Sequence, residues 1–253
     1  MNSIYDRRAT HRTLIMGILN CTPDSFSDGG KYAEHDKAIE HALDMISDGA
    51  DIIDIGGEST RPGSTPVDAQ EEIMRVVPVF KALAGRGILL SSDTTKPEVA
   101  RAVLEEGCSI INDISGDLRS SGMAKIASEY DAQLVIMFNC RNNGECNEDV
   151  VERMKRELSA NIDYALSSGV SEDRIILDPG IGFGTSRQQD IDLTTGLGEL
   201  TKGRYPVLYA ASRKRYVRLF AGGDQATADF INCVAFGRNG EFAEKYLHKG
   251  TKI

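Results

Sequence analysis

The chain has 253 residues, with 29 Lys or Arg against 38 Asp or Glu and a formal net charge of -9. This acidic balance argues against general binding to nucleic acid or to an anionic membrane. No apolar run approaches the roughly 18 residues of a membrane span, and the first apolar run is too short for a signal peptide. The five cysteines include no C-x-x-C pair, so we expect reduced thiols in a cytoplasmic protein.

Short apolar segments with strand character alternate with longer segments of helical period along the chain. The helical segments carry apolar stripes, one from Ala38 to Ile46 and another from Val151 to Ala165. Parallel strands covered by helices on both faces are apolar throughout, so the alternation predicts an α/β barrel of eight strands in a single domain over 1–253. The predicted strands are 13–19, 51–55, 88–92, 109–111, 133–137, 174–177 and 207–210.

Polar and glycine-rich residues follow the strands at their carboxyl ends. Long loops of this kind occupy 20–30, 56–66, 178–186 and 211–216. In a barrel these loops meet at one rim, which is where the active site of this fold lies. Capping of the next helix explains any single Asp or Asn, but it does not explain long loops after successive strands.

Asp93 and Asp178 end two non-adjacent predicted strands, and Asn112 ends a third. A carboxylate accepts two parallel hydrogen bonds from the N–C–N edge of a guanine or pterin ring, and an amide offers both a donor and an acceptor. A metal pair is the alternative, although a divalent ion usually recruits more carboxylates or a histidine. None of the four histidines ends a predicted strand, which argues against a zinc site and a histidine base.

Positive charge is also gathered locally, although the chain is acidic. The basic residues of the rim are Arg61, Arg213, Lys214, Arg215 and Arg218. Such a cluster can hold a diphosphate or a carboxylate, and a solvated helix face is the alternative. Asn20 and Asp24 can offer oxygen atoms to a hydrated Mg²⁺ that bridges phosphate oxygens.

Several strings, in order and at matching spacing, resemble the dihydropteroate synthase family. The resemblance runs from about residue 13 to residue 218, and the first two strings are long and specific. The strings are MGILNCTPDSFSDGG (16–30), DIIDIGGESTRPGS (51–64), SDT (92–94), INDISG (111–116), DPGIGFG (178–184) and SRK (212–214). The resemblance implies the (β/α)₈ TIM barrel that the alternation also predicts.

The resemblance implies a Mg²⁺-dependent transferase of folate biosynthesis. Its members join 6-hydroxymethyl-7,8-dihydropterin diphosphate to 4-aminobenzoate, which gives 7,8-dihydropteroate and diphosphate. Sulfonamides mimic aminobenzoate in this family, and its members are usually homodimers. We therefore expect small-molecule substrates, a second copy of the chain as partner, and neither nucleic acid nor membrane.

The resemblance also implies roles residue by residue. The expected ligands and walls of the pterin ring are Asp93, Asn112, Met137, Asp178 and Phe183. In the second loop, which is the long loop 56–66, the expected site residues are Thr60, Arg61 and Pro62. Phe26 and Ser212 are expected to line the aminobenzoate side. Lys214 is expected to bridge the two substrates, and Asn20 is expected to contact Mg²⁺ and the diphosphate. The expected catalytic residues are Arg61, Asp93 and Lys214.

Two departures from the family pattern keep other interpretations open. The sequence reaches Ile253 where the family has an eighth strand with R-x-H, so we expect that strand and its helix to be missing or incomplete. Phe138-Asn139 stands where many members have a histidine, which we interpret as tolerated variation. The alternatives are a catalytically silent pterin-binding paralogue and a methyltetrahydrofolate-binding methyltransferase domain.

Overall fold

The computed structural model of the chain describes residues 4, 13–22, 31–60, 63–142, 148–212, 214 and 233–236. All seven predicted strands are present, and their bounds agree with the prediction to within two residues. No segment was predicted for the eighth strand of the barrel, which we expected to be missing or incomplete. The strands are β1 (Leu14–Asn20), β2 (Ile52–Gly56), β3 (Leu89–Asp93), β4 (Ile110–Asp113), β5 (Gln133–Met137), β6 (Ile175–Asp178), β7 (Leu208–Tyr209) and β8 (Cys233–Phe236).

Helices connect the strands, and the two predicted apolar stripes lie on helices. Ala38 and Ala42 of the first stripe are buried, as are Met154, Leu158 and Ala165 of the second. None of the described helices is long and apolar enough to cross a membrane. The helices are α1 (Lys31–Ser47), α2 (Ala69–Leu83), α3 (Pro97–Leu104), α4 (Leu118–Ser121), α5 (Met123–Glu129), α6 (Val150–Ser167), α7 (Arg187–Thr195) and α8 (Leu197–Thr201).

The strands form one sheet in the order β6-β5-β4-β3-β2-β1-β8-β7. Every neighbouring pair from β1 to β6 is parallel, as the alternation of strands and helices predicts. The inner face curves around one apolar cluster that takes residues from seven strands, so the six parallel strands form a half-barrel. The strand residues of this cluster are Leu14, Met16, Ile52, Leu89, Ile110, Val135, Ile176 and Leu208.

The sheet contains a strand at its eighth position, where we expected a missing or incomplete strand. β8 lies between β1 and β7 and runs antiparallel to both, with Leu14 opposite Phe236. A single parallel bridge between Leu177 and Val207 joins β6 to the segment before β7. Backbone groups at the edge of a sheet need partners, and β8 supplies them to β1 and β7. The eighth position is therefore occupied, although not by the parallel strand of a regular barrel.

Helix capping does not account for the polar strand ends. The caps come from other residues: Asp68 accepts from the backbone of α2, Asp149 from that of α6, and Ser186 from that of α7. The residue before α3 is Lys96, whose side chain caps nothing. Asp93, Asn112 and Asp178 therefore cap none of these helices. Asp113, the last residue of β4, is held within its own loop, where it accepts from the Ser115 amide at 2.9 Å and from Ser121 Oγ at 2.7 Å.

Candidate active site

The register of the parallel strands brings the predicted polar residues to one edge of the sheet. Gly56 of β2 lies beside Asp93 of β3, and Asp93 lies beside Asn112 of β4. Asp178 of β6 lies beside Met137 of β5 in the same way. The carboxyl ends of parallel strands share one side of the sheet, so the fold itself gathers these side chains.

These strand ends surround a cavity of about 450 Å³. The predicted residues that line it are Asn20, Thr60, Asp93, Asn112, Met137, Asp178, Phe183, Ser212 and Lys214. Lining residues that were not predicted are Met16, Ile18, Thr22, Asp54, Ser59, Ile114, Leu208 and Ala210. We call Asp54, Asp93, Asn112 and Asp178 the floor of the cavity. We call Thr60, Arg141, Phe183 and Lys214 its mouth.

Seven predicted residues lie outside the described part of the chain. They are Asp24, Phe26, Arg61, Pro62, Arg213, Arg215 and Arg218. Their roles therefore stay predictions. Thr60, which directly precedes Arg61, is described and lines the cavity.

Asp54 holds the floor together. Its two carboxylate oxygens accept hydrogen bonds from Ser91 Oγ at 2.6 Å and from Asn112 Nδ2 at 2.9 Å. Burial raises the pKa of Asp54, and these two hydrogen bonds act in the opposite direction. The Asn112 amide is thereby oriented, because its donor side faces Asp54. Its oxygen, Oδ1, is buried and has no partner in the structure.

Asp93 is the least satisfied carboxyl group of the floor. Its Oδ1 is buried and has no hydrogen-bond partner. Burial first, and then the negative charges of Asp54 and Glu72, raise the pKa of Asp93 well above its ordinary value. Buried polar atoms without partners are rare in native proteins and call for an explanation such as a ligand. The unpartnered oxygens of Asp93 and Asn112 therefore mark the floor as a binding surface.

Asp178 is held by the loop that it begins. Its Oδ1 accepts a hydrogen bond from the Gly180 amide at 2.7 Å. Burial raises the pKa of Asp178 to about 6, although the Gly180 hydrogen bond and the Lys214 charge lower it. The pKa of the buried Asp178 carboxyl group thus lies well above that of an ordinary aspartate.

The glycine-rich loop after β6 packs against the loop after β5. Gly180, Gly182 and Gly184 all have positive φ angles, which favour glycine. A Cβ atom at Gly180 would lie 1.6 Å from the carbonyl oxygen of Phe138, so glycine is required there for space as well. The Gly182 amide donates to Asp190 Oδ1 at 2.9 Å, which ties the loop to α7. The glycines thus permit close packing between loops.

The mouth carries the positive charge of the site. Among the described residues that line the cavity, Lys214 is the only one with a cationic side chain. Its Nζ lies 4.7 Å from the centre of the Phe183 ring. Burial lowers the pKa of Lys214, while the charges of Asp178 and Asp190 act in the opposite direction. Lys214 is therefore close to both the floor and the outer loops.

The loop after β2 is tied down along its first residues. The Gly57 carbonyl accepts from Arg75 Nη1 at 2.8 Å. Lys96 Nζ donates to Glu58 and, at 2.5 Å, to the buried carboxylate of Glu72. These contacts fix the start of the loop that leads to Thr60 at the mouth.

Sequence reasoning missed Asp54, and the strand pattern held a signal for it. Successive strand residues point to opposite faces, so Asp54 shares a face with Ile52. Ile52 belongs to the inner cluster, which places Asp54 toward the cavity. A carboxylate inside an otherwise apolar strand is an exception that marks a site. Lys96 and Arg141 were missed as well, because their contacts join segments that are far apart in sequence.

The comparisons with known proteins agree with this geometry. A family model described as pterin binding enzyme matches residues 16–236. A dihydropteroate synthase from Streptococcus pyogenes is 48% identical over 211 residues, covering 83% of this chain and 79% of the relative. Such identity over most of both chains extends well beyond the strings quoted from the sequence.

Two solved structures share the fold. Dihydropteroate synthase from Clostridium difficile, determined in the presence of pteroic acid, matches with a TM-score of 0.77 and 47% identity, covering 81% of this chain and 78% of the other. The Xanthomonas albilineans enzyme with 4-aminobenzoic acid matches with a TM-score of 0.75 and 41% identity, covering 80% and 74%. With the floor and the mouth described above, these matches show that the chain belongs to the dihydropteroate synthases of the pterin binding enzyme family.

Proposed function

We propose that the floor of the cavity binds the pterin ring of 6-hydroxymethyl-7,8-dihydropterin diphosphate and that 4-aminobenzoate enters at the mouth. The observation that carries this proposal is the pair of buried, unpartnered oxygens on Asp93 and Asn112, close to the Asp178 carboxyl group. A dihydropterin ring presents several N–H donors along its edge, and each needs an acceptor once water is removed. Met137 and Phe183 supply apolar walls for the flat ring.

The reaction exchanges one bond at the pterin methylene group for another. The C–O bond to the diphosphate breaks, and its electron pair leaves with the diphosphate. The aminobenzoate nitrogen forms the new C–N bond and then gives its proton to solvent. Because the arylamine is neutral at pH 7, no strong general base is needed.

The residues act mainly by stabilising charge. Negative charge grows on the departing diphosphate, and Lys214 places a cation at the mouth where that group leaves. The carboxyl groups of Asp93 and Asp178 favour an electron-rich ring, which delocalises positive charge left on the methylene carbon. We propose Arg61 as a second cation for the diphosphate, with Thr60 and Pro62 beside it. Phe26 and Ser212 complete the aminobenzoate side.

The donor atoms near the cavity fit a Mg²⁺ ion that arrives with the diphosphate. Asn20 is exposed at the end of β1 and lines the cavity, so its side chain could offer an amide oxygen there. Within the described ranges, no group of three His, Cys, Asp or Glu residues is placed to hold a metal. Mg²⁺ often keeps several waters and takes only one or two protein ligands beside substrate phosphates. When bound, it would neutralise charge on the leaving group.

The broader expectations from the sequence are proposals of the same kind. We propose that residues 1–253 form one domain with complete barrel closure, and that two copies associate in the cytoplasm. The small-molecule substrates are the proposed partners, with sulfonamides competing for the aminobenzoate side. Sedimentation of the purified chain at twice the monomer mass would support the dimer, and a monomer at micromolar concentration would contradict it.

The function is tested by diphosphate release from the purified chain with Mg²⁺. We expect release only when both substrates are present, together with 7,8-dihydropteroate detected by mass spectrometry. Pterin binding without diphosphate release would instead identify a silent paralogue. Binding of methyltetrahydrofolate without any dependence on aminobenzoate would favour the methyltransferase domain.

A further inference from the structure

Arg141 joins three loops at the mouth of the cavity. It follows β5, and its Nη1 donates to the carbonyl oxygen of Thr60 in the loop after β2, at 3.0 Å. Its guanidinium carbon lies 4.7 Å from the centre of the Phe183 ring in the loop after β6. A planar guanidinium can stack on an aromatic face while its edge donates hydrogen bonds, which a lysine cannot do in the same way. One side chain thus connects the second loop to the wall of the cavity.

The backbone of Arg141 is firmly placed. Its amide donates to Asn139 Oδ1 at 2.9 Å, and Asn139 Nδ2 donates to the Ile114 carbonyl at 2.7 Å. The neighbouring Cys140 amide donates to the Phe183 carbonyl at 3.1 Å. A Cβ atom at Gly184 would lie 2.6 Å from the Arg141 nitrogen, so the two loops are in close contact. These contacts fix the backbone position from which the Arg141 side chain extends.

The second loop is held at two places, by Lys96 at its start and by Arg141 near the mouth. Lys96 holds Glu58 at the start of the loop, but Thr60 lies two residues further along, next to Arg61 and Pro62. The only hydrogen bond described for the Thr60 carbonyl comes from Arg141. Among the described contacts, Arg141 is therefore the side chain that links Thr60 to Phe183.

We propose that Arg141 is a positioning residue for the acceptor substrate, holding the second loop against the Phe183 wall so that the aminobenzoate side forms next to the pterin side. The inference rests on the proposed function. Arg141 does not line the described cavity, so it acts through Thr60 and Phe183 and not on the reacting atoms. Its loss should therefore affect one substrate more than the other.

The experiment compares steady-state constants of the wild type, Arg141→Gln and Arg141→Met with each substrate varied in turn. We expect Arg141→Met to raise KM for aminobenzoate by about fivefold to twentyfold, the scale of one charge-assisted hydrogen bond with a cation–π contact. KM for the pterin diphosphate should stay within about twofold, since the floor hydrogen bonds are unchanged. Arg141→Gln keeps a donor for the Thr60 carbonyl, so its KM for aminobenzoate should lie closer to the wild type.

A matched control is Arg119→Met. Arg119 is also exposed and also lies over an aromatic ring, with its guanidinium carbon 4.9 Å from the centre of Tyr164, but its described contacts do not reach Thr60 or Phe183. Both KM values should be unchanged in this variant. Equal increases of both KM values in Arg141→Met, or equal effects of Gln and Met, would overturn the proposal. A wild type without turnover would reject the proposed function itself, whereas an active wild type with an unaffected Arg141→Met would reject this inference alone.

Discussion

The floor and the mouth of the cavity are built in different ways. The floor consists of carboxyl and amide groups on strands, and the strand register sets their positions. The mouth consists of Lys214, Arg141, Thr60 and Phe183 on loops, and contacts made by the side chains of Arg141 and Lys214 join them. A flat neutral ring suits the first kind of surface, and charged groups that arrive and leave suit the second. Substitutions in one region should therefore separate pterin binding from turnover.

The largest expected effect is at the mouth. Lys214→Ala should lower kcat/KM by about a hundredfold or more, because a preorganised cation near a leaving group is worth about 3 kcal/mol or more of transition-state stabilisation. Pterin affinity, measured by calorimetry, should change far less than turnover. Lys202→Ala is the control, since Lys202 is exposed and pairs only with Glu199 at 3.0 Å among the described contacts. An unchanged kcat/KM in Lys214→Ala would show that the mouth does not act on the leaving group.

The next effect is at the floor. Asp178→Asn should weaken pterin binding by more than about fivefold, because an amide donor would face ring donors and leave buried groups unpaired. The free energy of unfolding of the ligand-free protein should not fall, since the amide is neutral and its oxygen can still accept from Gly180. If Asp178 served only the fold, the variant would lose stability and keep its pterin affinity, which is the opposite result.

The pH dependence of the floor should show two opposite slopes. The pKa of Asp178 is about 6, above its ordinary 3.8, because of burial. The folded protein therefore binds more protons than the unfolded chain between about pH 4 and pH 6, so the free energy of unfolding without ligand falls as pH rises through this window. Pterin affinity should rise over the same window, because the ionised carboxylate is the acceptor.

Unfolding by denaturant and calorimetric titration, each at several pH values, measure the two slopes. Both should be smaller in Asp178→Asn, which cannot titrate at this position. Slopes of the same sign in the wild type would mean that the ligand binds the protonated floor.

The smallest effect compares two neighbouring serines of β3. Ser91 donates to Asp54 at 2.6 Å, whereas the buried Ser92 hydroxyl has no partner. Ser91→Ala should lower the free energy of unfolding by about 1 kcal/mol and weaken pterin binding a few-fold, because Asp54 would hold Asn112 less firmly. Ser92→Ala should be neutral or stabilising. Equal losses of stability and of pterin affinity in the two variants would show that Asp54 does not orient the floor.

The difference between the floor and the mouth also explains which site residues could be predicted from the sequence. Strand positions follow from apolar runs between helical stripes, and strand ends are fixed once the strands are known. Asp93, Asn112 and Asp178 could therefore be placed together from the sequence. Asp54 could also have been found, because it points to the same face of β2 as Ile52. The prediction considered only residues at the strand ends, and Asp54 lies two residues before the end of β2.

The parts that escaped prediction depend on contacts between distant segments. No local pattern relates Arg141 to Thr60, or Lys96 to Glu72, because these contacts exist only once the loops have folded together. The antiparallel β8 escaped for a similar reason, since four residues of strand character inside a mixed segment do not stand out. The mouth is thus the region in which sequence reasoning is weakest and the structure adds most.

The position of β8 has a consequence for biosynthesis. Leu14 of β1 pairs with Phe236 of β8. During synthesis β1 therefore has no partner on this side until residue 236 has been made. At about 5–20 residues per second, a ribosome needs on the order of 10–40 s to make the intervening chain. During that time the edge of β1 is open to pairing with other nascent chains. Slow translation of this gene at high expression should therefore favour aggregation, even though the finished protein has no such open edge at β1.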